Sequence, residues 1–206
     1  MPLSARTHCA RATRAVALLL TLLSLLVLSG CWMFSIRPLF DGPSDPDLTF
    51  DQSLVGSWGH TDEGCQWMLT VAASARAYDM TMSPGAGCKS DEKTTRYMAY
   101  LVKLDNHRFL DIEPNQKELC DLCLAAHAFA LFSLENNSFT LTPLDGDWLT
   151  QAIKDKKVVL SHVGGEDEYI DLTLTAKPPE MKDFLRKYAD DKTVFKPNQS
   201  LVFTKK

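Results

Sequence analysis

A chain of 206 residues, 45 % hydrophobic and 23 % charged, is long enough for one ordinary domain with its own core, which rules out a miniature held together by cross-links. Its 26 acidic against 22 basic residues give a formal charge of −4, a balance that argues against a phosphate backbone as partner, since such binding needs clustered Lys and Arg. The pairs Lys156-Lys157 and Lys205-Lys206 read as a solvated face and a frayed terminus.

At the amino terminus Arg6, Arg11 and Arg14 precede an uncharged run from Ala15 to Val27, followed by Leu28-Ser29-Gly30-Cys31. That is the order of n-region, apolar h-region and cleavage site in a secretory signal. The stretch resembles a bacterial lipobox. The resemblance implies cleavage between Gly30 and Cys31, a diacylglyceryl group on the Cys31 sulfur, and an anchor of two or three acyl chains in the membrane. In a Gram-negative host, Trp32 rather than Asp after the cysteine implies the outer membrane, facing the periplasm. The opposing reading is an uncleaved span: Trp32, Met33, Phe34 and Ile36 extend the apolar stretch to about 22 residues between Arg14 and Arg37, enough to cross a bilayer.

The expected organisation is a signal peptide over residues 1–30, a lipidated tether over 31–47 and one β-rich domain over 48–206. The tether expectation rests on Pro38, Pro43 and Pro46 with little periodicity between them. Removing the three signal arginines leaves 19 basic against 26 acidic residues, a formal charge of −7 on the mature chain.

From Leu54 onward the dominant period is two. Tyr78 to Met82, Met98 to Leu104 and Tyr169 to Thr175 alternate or are rich in β-branched and aromatic residues, as half-buried strands are. Asp105-Asn106 and Asn136-Asn137 separate such runs and read as hairpin turns, because Asn tolerates positive φ. Two segments have helical spacing instead. One begins near Asp147 as a cap, with Trp148, Leu149, Ala152 and Ile153 inward; the other follows Pro178-Pro179, with Met181, Phe184, Leu185 and Tyr188 at i, i+3, i+4 and i+7. The fold class is α+β, mainly β: an antiparallel meander of about nine or ten strands with two short helices.

Gly56-Ser57-Trp58 on the first strand resembles the Gly-x-Trp opening of lipocalins and related calycin barrels. The resemblance implies a lipocalin-like barrel or cupped sheet. The family's Thr-Asp-Tyr turn motif is missing, and the segment near Trp148 places a helix where a simple barrel has none. Phe109 to Ile112 and Leu144 to Leu149 also resemble segments of uncharacterised bacterial proteins, a likeness that brings no activity with it. If the sheet encloses space, Trp58, Tyr78, Met80, Met82, Met98 and Tyr100 are the candidate pocket for a small apolar ligand; otherwise they fill a core.

Beyond Cys31, Cys65, Cys88, Cys120 and Cys123 remain in the mature chain. An even number in an oxidising compartment favours disulfides, and the expected pairs are Cys65 with Cys88 and Cys120 with Cys123. Cys120-Asp121-Leu122-Cys123 closes too small a ring to contribute much stability. It therefore raises an alternative function, thiol–disulfide exchange or redox sensing through Cys120 and Cys123. With His127 it spells Cys-x2-Cys-x3-His, but no fourth zinc ligand is evident. Ser161-His162 are strand neighbours that point to opposite faces, and neither a Gly-x-Ser-x-Gly elbow nor a phosphate-binding glycine loop is present. No cofactor or metal is expected. The function expected is that of a non-enzymatic, lipid-anchored envelope protein that binds a small apolar ligand or a partner protein.

Overall fold

The computed structural model describes residues 33–115, 126–165 and 171–206. Seven consecutive strands form a meander: β3 (Gly56–Asp62), β4 (Cys65–Ser74), β5 (Ala77–Pro84), β6 (Thr95–Leu104), β7 (His107–Pro114), β8 (His127–Glu135) and β9 (Ser138–Pro143). The last strand, β12 (Leu201–Lys205), pairs antiparallel with both β9 and β3, and β8 pairs with β9, so these eight strands close into a barrel. The protein is thus mainly β, an antiparallel lipocalin-like barrel, with two α-helices among the described residues. Closure leaves these strands no open edge.

Four tight turns carry the meander, and each opens on a left-handed residue: Glu63, Ala75, Asp105 and Asn136. Positive φ matches the right-handed twist of the flanking strands. The turns expected at Asp105-Asn106 and Asn136-Asn137 are among them.

Four further strands have two residues each: β1 (Phe34–Ser35), β2 (Leu48–Thr49), β10 (His162–Val163) and β11 (Thr173–Leu174). β2 pairs with β6. β1 pairs with the start of β8, and β11 and β10 continue outward from it as a flange. The strand expected from Tyr169 to Thr175 is therefore observed only as β11, with residues 169 and 170 outside the described residues.

Two apolar clusters divide the faces of the barrel sheet. Inward-facing Leu54, Trp58, Tyr78, Leu101, Leu110, Phe139 and Phe203 fill the barrel. Outward-facing Val102, Leu104, Phe109 and Phe129 are covered by α1 (Gly146–Lys154), through Leu149 and Ala152, and by α2 (Pro178–Tyr188), through Met181, Phe184 and Leu185. β6 and β7 are buried on both faces in consequence.

One end of the barrel is closed by a 3-10 turn, Gln52–Leu54. There the Trp58 indole N–H donates to the Leu54 carbonyl at 2.8 Å, the Asp51 backbone N–H donates to the Tyr78 hydroxyl at 2.7 Å, and Arg108 pairs with Asp51 at 3.0 Å.

Two local expectations are corrected. α1 is capped by Asp145, whose Oδ1 accepts the Trp148 N–H at 2.7 Å, and Asp147 lies in the first turn instead. Both acids suit a helix start, and the one that reaches three residues ahead into the turn takes the cap. Residues 33–47, expected as a free tether, are packed into the domain: Leu39 is fully buried, Ser35 pairs in the sheet, and Asp45 is 6 % exposed against Lys182 of α2. The segment runs through bends and turns, with Asp45 N–H donating to the Gly42 carbonyl at 3.0 Å, and contacts far away in sequence hold it down.

Candidate functional site

The end of the barrel opposite the 3-10 turn is open. Register places the end of β3, the start of β4, the end of β5 and the start of β6 around it, with the start of β12 completing that side. Inward-facing positions there hold Trp67, Met82, Tyr97 and Leu201, which form the walls of a cavity of about 480 Å3. Phe203 forms the floor, stacked on Phe139 at 4.7 Å, and Trp58 meets Phe139 edge-on at 4.8 Å. Below that aromatic layer the barrel is filled.

The rim is polar and mainly acidic. His60 and Asp62 come from β3, while Asp91, Glu92 and Lys93 come from the β5–β6 connection. His60 donates from Nδ1 to the Val202 carbonyl at 2.8 Å, with its ring 5.1 Å from Phe203. That bond leaves Nε2 as the acceptor nitrogen of the neutral ring. An apolar, ring-lined cup with three carboxylates against one lysine suits a small amphiphile whose polar end is neutral or cationic.

A covalent staple positions the β5–β6 connection. Cys65 and Cys88 form a disulfide with Cα atoms 4.2 Å apart, as expected from the hairpin they bracket. Two backbone bonds flank it, Gln66 N–H to the Ala86 carbonyl at 2.9 Å and Gly85 N–H to the Gln66 carbonyl at 2.7 Å. Gly87, at φ +79°, passes so close that a Cβ there would lie 2.2 Å from the Gly64 carbonyl oxygen. The chain leading to Asp91 and Glu92 is thereby tied to the mouth.

Of the six residues expected to line a pocket, only Met82 lines this cavity. Trp58, Tyr78 and Met80 are buried in the filled barrel. Met98 and Tyr100 stand on the outer face: Tyr78 pairs with inward-facing Ala99, so its neighbours on β6 point away. Tyr100 packs against the helix-side cluster and lies 4.6 Å from Phe40. Tyr97 was missed because β6 begins three residues before Met98 and is apolar on both faces, which hides its parity, and Trp67 because β4 begins at Cys65, ahead of its alternating stretch. Cys31, Cys120 and Cys123 lie outside the described residues.

The outer face carries a second polar cluster. Asp111 is completely buried; its Oδ1 accepts from His127 Nδ1 at 2.8 Å and its Oδ2 accepts the Leu39 backbone N–H at 2.7 Å. Glu113 lies 3.7 Å from the other ring nitrogen and accepts from the Tyr100 hydroxyl at 3.4 Å. Burial pushes the Asp111 carboxyl above its usual range, against the pull of His127 and the Leu39 N–H. At His127 burial opposes the charged ring, but the hydrogen bond and charge of Asp111, with Glu113, outweigh it and raise the imidazole above 6.5. The cluster clasps the 33–47 segment to the barrel through the Leu39 N–H. The signal for it was an acid set among Phe109, Leu110 and Ile112.

Among the described residues no group of three or more His, Cys, Asp or Glu is placed to hold a metal ion, and no helix is long and apolar enough to cross a membrane. Compared with known proteins, the chain matches no family model, no curated protein and no solved structure.

Proposed function

We propose that this chain is a lipid-anchored, non-enzymatic binding protein of the bacterial cell envelope, held to the membrane through acyl chains on Cys31 and taking a small amphiphilic ligand in its barrel mouth. The cavity of about 480 Å3 is the observation that carries the reading. Its volume lies within the range of small-molecule sites. The aromatic floor and walls accept a ring or short acyl group, and Asp62, Asp91 and Glu92 favour a neutral or cationic polar end over an anionic one. The lipobox residues Leu28 to Cys31 support export and anchoring. In a Gram-negative host the membrane is the outer one, with the domain in the periplasm.

Native mass spectrometry of the acylated chain purified from its own host tests the proposal. A stoichiometric small amphiphile lost on collisional activation is the expected result. A chain that is always recovered empty, and that shows no saturable binding of neutral or cationic amphiphiles, overturns it.

A further inference from the structure

We infer that the open end of the barrel, on its β8 side, rests on the lipid bilayer with Phe34, Ile36 and Val163 in the interface. The inference builds on the reading of Cys31 as the acylated residue. β1 joins β8 at Ala128 and His127, the open-end extremity of that strand, while β9 pairs with β8 only from Ala130 onward. The β1–β11–β10 flange therefore projects at the barrel's open end.

The flange has two unlike faces. Ser35 and Leu174 are buried on the helix side. Phe34, Thr173 and Val163 stand opposite one another in register on the other side, where Phe34 is 48 % and Val163 57 % exposed, with Ile36 43 % exposed two residues after Phe34. Scattered exposed apolar residues are ordinary on a protein surface. Here, however, a phenylalanine and a valine share one row of a three-strand flange, and β1 begins three positions after Cys31 in the sequence.

Chain length then limits the distance. Two residues, Trp32 and Met33, separate Cys31 from Phe34, and the three steps between them span about 11 Å at most, little more than the headgroup layer of a bilayer. Segment 33–47 provides no slack, because Leu39 is bound to Asp111 and Asp45 to Lys182. An acyl group on Cys31 consequently holds the flange at the membrane surface rather than at the end of a leash. Exposed Arg37 adds a positive charge beside the patch, which favours anionic headgroups. The acidic rim, on the β3 to β6 side, lies across the barrel end from β8 in the strand order, so the molecule leans with its apolar side down and its carboxylates away from the lipid.

The test uses the full acylated chain in vesicles of phosphatidylethanolamine and phosphatidylglycerol, with a benzophenone side chain replacing Phe34 or Val163. As controls, the same side chain replaces Asn106 or Asn137, which sit in exposed hairpins at the closed end. After irradiation, a mass increase of one phospholipid is expected at 34 and 163 and none at 106 or 137. Equal adducts at both ends, no lipid adduct at 34 and 163, or cross-links there to a second copy of the chain overturn the inference. The mass of the amino-terminal peptide distinguishes the two failures: an unmodified Cys31 means that the anchor reading has failed and the inference with it, whereas an acylated Cys31 without flange adducts rejects the inference alone.

Discussion

The ammonium of Lys182 on α2 meets the carboxylate of Asp45 at 2.8 Å, across 137 residues of sequence, with the two residues only 7 % and 6 % exposed. Asp47 lies 2.7 Å from the same nitrogen, and Asp45 also accepts the backbone N–H groups of Asp41 and Asp47. Both Asp45 carboxylate oxygens and the Lys182 ammonium therefore have partners, and the amino-terminal segment is fastened to the helix layer. Lys182→Met is expected to cost about 3 kcal/mol, because it leaves a buried carboxylate without its counter-charge, whereas Lys182→Met with Asp45→Leu costs much less. Urea unfolding midpoints check both values, and proteolysis of residues 33–47 in the single variant shows where the structure opens.

The same pair makes a pH prediction. Burial works against the Asp45 carboxylate, but Lys182 and the two backbone donors hold its pKa below 3.8, so its stabilisation is present above that value and is lost as pH falls through the lower folded value. Burial likewise opposes the Lys182 ammonium, but Asp45 and Asp47 raise it above 10.5; that contribution is present below 10.5 and is lost as pH rises through the higher folded value. Stability of the wild-type chain should accordingly fall at both extremes, and the double apolar variant should show smaller losses in both windows.

His127 sets a third window. Its imidazole is raised above 6.5 by Asp111 and Glu113 acting against burial, so it stabilises the fold fully below pH 6.5 and the contribution disappears as pH rises through the folded value. His127→Gln is expected to flatten the decline in urea midpoint above pH 6.5. It should also destabilise the chain at pH 6 by about 2 kcal/mol, through the weakened partner for buried Asp111. An unchanged alkaline decline in the variant assigns that decline to other groups.

Much of the barrel was legible because β4 and β5 face a core on one side and solvent on the other. Leu69, Val71, Tyr78, Met80 and Met82 alternate with Thr70, Asp79 and Thr81, and period two follows directly. β6 was harder, since Ala99 and Leu101 enter the barrel while Tyr100 and Val102 meet the helices; a strand buried on both faces loses its alternation. Two-residue strands such as β1 and β10 have no period to detect. The packing of Leu39 and Asp45 was invisible for a different reason: their partners, Asp111 and Lys182, are 72 and 137 residues away. The disulfide was readable from spacing, but its position beside the mouth needed the folded register.

That position gives the staple a second effect. Cys65→Ser with Cys88→Ser removes closure of a loop with sequence separation 23, and a loss of about 3 kcal/mol follows from the chain-entropy account. If the staple also fixes the segment carrying Asp91 and Glu92, saturable binding of a neutral amphiphile weakens under conditions where the variant remains fully folded by circular dichroism. Unaltered affinity in the folded variant confines the disulfide to stability.

At the mouth itself, the wall and the rim should separate in their effects. Trp67→Ala strips an aromatic wall from the cavity and is expected to weaken binding of both neutral and cationic amphiphiles by about 2 kcal/mol, roughly thirtyfold. Asp91→Asn with Glu92→Gln leaves the wall intact and removes two rim charges; exposed charges contribute about 1 kcal/mol or less each. The double variant should therefore bind a neutral amphiphile as before, lose at most about thirtyfold for a quaternary ammonium amphiphile, and lose most of the salt dependence of that binding. Isothermal titration at low and high salt reads all three quantities. If the rim variant weakens neutral and cationic ligands equally, the carboxylates shape the loop rather than select charge, and the preference for a cationic end falls.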